Sequence, residues 1–95
     1  MPAYLFVNIE VTDPEQYKEY IAKVPATIAA FGGRYLARGG RAETLEGDMT
    51  AKRVALVEFP TYERAIEWLN SPMYAPVLAI RQRSAKAEII LVEGA

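Results

Sequence analysis

Ninety-five residues without a single cysteine make one domain with one core, and its stability must come from apolar burial because no thiol is present for a disulfide or a thiolate metal ligand. A formal net charge of -1, with basic residues scattered from Lys18 to Lys86, leaves no electrostatic footprint for nucleic acid. The longest apolar runs, Val54 to Val57 and Ile89 to Val92, fall far short of the ~20 residues of a membrane span, and the N-terminus lacks a basic-then-apolar signal pattern, so a soluble cytoplasmic protein is expected.

From Tyr4 to Val11 the odd positions Leu5, Val7, Ile9 and Val11 are aliphatic, while Tyr4, Phe6, Asn8 and Glu10 grade from aromatic to polar. This is the alternation of a strand with two different faces. Asp13 is placed to cap a helix, with Pro14 at its first position and Gln16 where a capping-box partner stands. Tyr17, Tyr20, Ile21, Val24, Ile28 and Phe31 then follow helical spacing as a core stripe. Pro25 lies inside that stripe; it removes the bond to Ile21 and crowds its carbonyl, so a kink or short break is expected there. Gly32 or Gly33 ends the helix.

Arg34 to Arg38 is a short second strand, and Gly39-Gly40 permits a bulge or bend before the polar stretch Arg41 to Lys52, with its turn at Glu46-Gly47-Asp48. The third strand is Arg53 to Phe59. Thr61 caps a second helix with Glu63 in its first turn and Ala65, Ile66, Trp68 and Leu69 on its buried side. Ser71-Pro72 repeats the cap-plus-proline signal, so Met73, Val77 and Ile80 line a separate short helix ending near Arg83. Lys86 to Glu93 is the last strand.

Strand, helix, strand, strand, helix, strand predicts an α+β, ferredoxin-like sandwich, a four-stranded antiparallel sheet with both helical crossovers on one face. The third strand should turn Ala55, Val57 and Phe59 toward the helices and Val54, Leu56 and Glu58 away. The uncovered face then carries Phe6, Val54 and Leu56 with Ile90 and Val92, an apolar patch of a few hundred Å2, at the limit for a monomer. Burying ~800 Å2 against a second sheet removes that exposure, so a two-fold homodimer with facing sheets is expected. The competing reading is a monomer with one apolar face.

The residues Asp13-Pro14-Glu15 with Tyr17 and Tyr20, then Gly32-Gly33-Arg34-Tyr35-Leu36-Ala37-Arg38-Gly39-Gly40 and Leu45-Glu46-Gly47, carry a resemblance. It continues through Glu58-Phe59-Pro60, Ala65-Ile66-Glu67-Trp68, Ser71-Pro72-Met73-Tyr74, Arg81 and Val92-Glu93-Gly94. Over nearly its whole length the chain resembles the DUF1330 family of uncharacterised proteins, within the dimeric alpha/beta-barrel superfamily. The resemblance implies a homodimer with a pocket between sheet and helices, and it brings no established reaction. Similar folds host cofactor-free monooxygenases, isomerases, haem enzymes and plain binders.

The candidate chemistry follows from the residues. With the first and third strands expected parallel at the sheet centre, Asn8 and Glu58 would be neighbours on one face, the amide orienting a polar ligand and the carboxylate acting as a base. The competing reading is a hydrogen-bonded cluster at the dimer interface. Arg38, Glu46 and Arg53 flank the hairpin as a loop-fixing ion pair or an anion clamp. Arg81, Trp68 and Tyr74 on the second helical region either close a pocket over a planar or acidic ligand or, for the two aromatics, are core side chains with a polar tip. A Pro2 amine base is disfavoured, since a chain end is loose unless tied down. Without His or Cys no haem ligand, transition-metal site or Ser-His nucleophile is expected. Glycine pairs without a phosphate-loop setting are read as turns. Two functions remain: a metal-free, cofactor-free enzyme acting on a small planar or acidic metabolite, or a non-catalytic ligand-binding or interaction module.

Overall fold

The alternating side chains of the first strand need one covered face, and the computed structural model, which describes all 95 residues, supplies it. The elements are β1 (Ala3–Val11), α1 (Pro14–Ala30), β2 (Arg34–Arg38), β3 (Arg53–Phe59), α2 (Tyr62–Leu69), α3 (Ala75–Ser84) and β4 (Ala85–Glu93). The strands form one sheet in the order β2-β3-β1-β4, every neighbouring pair antiparallel. This is the ferredoxin-like arrangement. Leu5, Val7, Ile9, Val57 and Phe59 point to the helical side and are buried against Tyr17, Tyr20, Val24, Ile28, Ala65, Trp68, Tyr74, Val77 and Ile80.

The expectation that β1 and β3 run parallel is overturned. Helix α1 returns the chain to the starting end of the sheet, so β2 runs in the direction of β1. The hairpin then reverses β3, which enters between them antiparallel to both.

Asp13 caps α1, its carboxylate accepting from the Gln16 N–H at 3.3 Å. The Gln16 side-chain amide donates to the other Asp13 oxygen at 2.9 Å, because the Asp13 N–H is already given to the Ser84 carbonyl at 3.0 Å. Of the kink or short break expected at Pro25, the break does not occur, and α1 continues through it. It closes where Gly32, at φ +78°, lets Gly33 donate to Ile28. In α2 the cap is as expected, with Thr61 accepting from the Arg64 N–H, but Ile66 is exposed while Ala65 and Trp68 are buried. Ser71 accepts from Tyr74 N–H at 3.1 Å and donates to the Trp68 carbonyl at 2.8 Å. The turn it stabilises carries Met73 outward, so only Val77 and Ile80 of the expected trio reach the core.

The aromatic core has a polar seam. Trp68 stacks on Tyr74 with centroids 4.1 Å apart and donates to the Thr27 hydroxyl at 3.0 Å. The Tyr20 and Tyr74 hydroxyls are 2.9 Å apart, and Arg81 Nε donates to Tyr74 at 3.4 Å. Burial raises the Tyr20 phenol far above its ordinary range, with Tyr74 adding to the effect.

Residues 39–52 connect β2 to β3 without regular structure. Asn8, buried in β1, holds the end of this loop by donating to the Thr50 carbonyl at 3.0 Å and accepting from the Lys52 N–H at 2.9 Å. The loop turn lies at Gly47, whose φ is +97°.

Three outcomes test these contacts. A Cβ on Gly33 would lie 2.7 Å from Ile28 Cγ2 and 2.8 Å from Phe59 Cε1, so Gly33→Ala is expected to cost about 1–3 kcal/mol in urea denaturation; an unchanged midpoint contradicts the close approach. Asn8→Ala leaves two backbone groups without their partner and should cost on the order of 1–3 kcal/mol, with faster amide exchange at Lys52. The raised Tyr20 value means the unfolded chain ionises first as pH climbs, so stability present at neutral pH is lost above the ordinary tyrosine range; alkaline denaturation of wild type against Tyr20→Phe reads that difference.

Candidate functional site

The core is incompletely filled between α1 and the sheet. A cavity of about 40 Å3 lies there, walled by Leu5, Val7, Ile9, Val24, Ile28 and Val57 and reached by Tyr17, Tyr20 and Tyr35. At its rim stand Arg38 and Arg53, the only charged side chains on its wall. Alternation along β3 puts Arg53 on the same side as Ala55, Val57 and Phe59. Arg38 reaches that side because a bulge between Tyr35 and Ala37 shifts the β2 register, pairing Arg38 with Ala55.

Both guanidiniums are held by contacts other than carboxylates. Arg38 Nη2 donates to the Ile21 carbonyl at 2.8 Å, and its Cζ lies 4.8 Å from the Tyr35 ring centroid. Arg53 lies 5.9 Å from the Tyr17 ring centroid. Gly39, at φ +67°, leaves it room: a Cβ there would sit 2.5 Å from Arg53 Nη1. The ion pairs of the chain are Lys18–Glu15, Lys23–Glu19, Arg34–Glu58 and Arg64–Glu67. Arg38, Arg53 and Arg81 therefore have no acidic partner, and all three act on Tyr17. Burial raises the Tyr17 and Tyr35 phenols, and the nearby arginines pull both partly back.

The residues singled out from the sequence divide between this cavity, the core and the opposite sheet face. Arg38 is at the cavity rim, and Trp68 contributes to the wall as a core side chain with a bonded polar tip. Tyr74 is fully buried, and Arg81 is only 8% exposed; they lie behind Tyr20 rather than on the cavity wall. Glu46 lies exposed in the loop and pairs with neither Arg38 nor Arg53. Asn8 and Glu58 share the uncovered face but are not neighbours: Asn8 opposes Val54, and Glu58 opposes Tyr4. That register separates them by roughly 13 Å along the strands. Asn8 holds the loop, and Glu58 accepts from Arg34 Nε at 2.8 Å.

Sequence reasoning treats Tyr17, Tyr20 and Tyr35 as stripe or strand residues only. The available signal is three phenols facing an otherwise aliphatic interior. It also groups Arg53 with the hairpin, although alternation with Ala55 and Val57 already assigns that residue to the helical face.

The fold recurs in solved structures. A protein of unknown function from Rhodopseudomonas palustris superposes with a TM-score of 0.81 at 18% identity, over 99% of this chain and 82% of that one. SnoaB from Streptomyces nogalater, a cofactor-independent oxygenase, gives 0.68 at 14% identity over 99% and 93%. A dimeric protein of unknown function and ferredoxin-like fold from Bacteroides fragilis gives 0.55 at 15% identity over 98% and 96%. At these identities the likeness is one of fold. No curated protein matches the chain in sequence. The family model for the domain of unknown function DUF1330 matches residues 2–95, and the chain belongs to that family.

Proposed function

We propose that this protein works as a homodimer that takes a small planar or acidic metabolite into the cavity between α1 and the sheet and acts on it without a metal or organic cofactor. The observation that carries this reading is the pair of arginines at the rim of an apolar cavity with no carboxylate of the chain to neutralise them. An anionic group on the ligand would meet two guanidiniums, and its apolar part would replace contacts that the cavity walls now lack. Oxygen chemistry without a cofactor needs an electron-rich organic anion to give up electrons, and two fixed positive charges stabilise such an anion. The similarity in fold to a cofactor-independent oxygenase is compatible with that chemistry. The homodimer is supported by exposed Ile90 and Val92, 56% and 55% accessible on the uncovered face, and by the dimeric protein of the same fold.

Non-catalytic binding of the same ligand class is the second reading. It is favoured by the cavity wall itself, which presents no carboxylate, and by phenols that are protonated at neutral pH and that burial moves further from ionising. No base is then at hand to remove a proton from the ligand.

Titration with acetate and propanoate, each compared with its neutral amide, tests the binding shared by both readings. The carboxylates are expected to bind and the amides not. Arg53→Gln should weaken carboxylate binding about tenfold, the loss of one charge-assisted contact. Since carboxylates, arginines and the raised phenols hold one protonation state from about pH 6 to 9, affinity should be flat there. Equal binding of acid and amide, or none by either, contradicts the proposal. Oxygen uptake with a small ionised enediol separates the readings: uptake dependent on Arg53 supports the enzyme, and carboxylate binding without uptake supports the binding module.

A further inference from the structure

We propose that Pro25 positions Arg38 as one arm of a receptor for the carboxylate of a slender organic acid, by freeing the Ile21 carbonyl on which the guanidinium docks. The inference rests on the reading of the cavity given above and deepens it. In a regular helix the N–H of residue 25 would donate to the carbonyl of residue 21; proline has none. Helix α1 nevertheless runs unbroken across this point, so the Ile21 carbonyl faces out of the helix without its usual donor. Arg38 Nη2 takes that place at 2.8 Å.

The consequence reaches beyond the helix. Arg38 is an exposed residue, and a long exposed cationic side chain ordinarily samples many rotamers, which costs entropy when a ligand fixes it. Here the Ile21 carbonyl fixes one N–H, and the Tyr35 ring, 4.8 Å from Cζ, orients the guanidinium. One of five N–H donors is used in the dock, and no carboxylate of the chain is paired with the rest. Ile21 and Tyr35 both line the cavity, so the docked guanidinium stands at its rim together with the second arm, Arg53.

The shape of the cavity limits the ligand. Its volume of about 40 Å3 is well below the ~150 Å3 that accepts a benzene ring in a closed apolar cavity. The acid best suited has a planar anionic head for the two arginines at the rim and a short apolar tail of about two carbons, and propanoate is a fitting probe.

A double-mutant cycle with Pro25→Ala and Arg38→Met, read by urea denaturation and by propanoate titration, tests the inference. Alanine in place of Pro25 restores the helical N–H, so Pro25→Ala should raise the urea midpoint yet weaken propanoate binding about tenfold, ~1.4 kcal/mol. Arg38→Met should lower the midpoint when Pro25 is present, because it orphans the Ile21 carbonyl, and leave it unchanged when combined with Pro25→Ala. A merely structural proline would move stability and leave affinity alone. Equal effects of Arg38→Met in both backgrounds, or wild-type affinity in Pro25→Ala, overturn the proposal. Failure of wild type to bind any carboxylate overturns the reading of the cavity as an anion site, and with it the receptor; the stability cycle, which needs no ligand, then reports the docking contact by itself.

Discussion

Two strands with unlike faces constrain everything else in this molecule. On β1 and β3 the residues Leu5, Val7, Ile9, Val57 and Phe59 must leave water, and the helices can be supplied on one side only because both crossovers of a βαββαβ chain are right-handed. That side becomes the core, with its cavity. The other side keeps Phe6, Val54 and Leu56 half-buried and Ile90 and Val92 exposed. A sheet placed this way has a cavity on one face and an uncovered apolar surface on the other.

The cavity and the electrostatics are linked through the same alternation. Arg53 is the first residue of β3 and lies on the face of Ala55, so a strand that builds the core also delivers a charge to its rim. The bulge in β2 does the same for Arg38. Inside, Tyr20, Tyr74 and the buried Arg81 satisfy one another by hydrogen bonds, and no buried side-chain polar atom is left without a partner. Arg38 and Arg53, by contrast, stand on the cavity wall without an acidic partner.

Much of the architecture is legible from particular residues. Asp13-Pro14 and Thr61 announce their caps, whereas Ser71 holds a turn and α3 begins later, after Tyr74, with no side-chain cap; the parity of β1 and β3 assigns both sheet faces correctly. The separation of Asn8 from Glu58 is not legible in that parity, because a shared face says nothing of register; strand direction, which follows from the hairpin between β2 and β3, decides it. Arg38 stands out in the sequence, but its reason is hidden in two long-range facts: a bulge invisible to alternation, and a carbonyl on α1 that Pro25 leaves free. Pro25 itself suggests a break because local sterics favour one, yet side chains along Tyr17, Tyr20, Val24 and Ile28 hold α1 continuous. Ile66 and Met73 look apolar enough for the core and lie outside it, since the eight-residue helix and the turn after it bury Ala65, Trp68, Ser71 and Tyr74 instead.

The proposal with the widest consequences is that the uncovered sheet face belongs against a second copy of the same chain. Sedimentation velocity of wild type and of Leu56→Asp, at micromolar concentration, decides it. A dimer is expected for the wild type and a folded monomer for the variant, because a carboxylate placed at the centre of that face would be buried without a partner. A wild type that sediments as a monomer, with the variant indistinguishable from it, would leave that face without its second copy and overturn the proposed assembly.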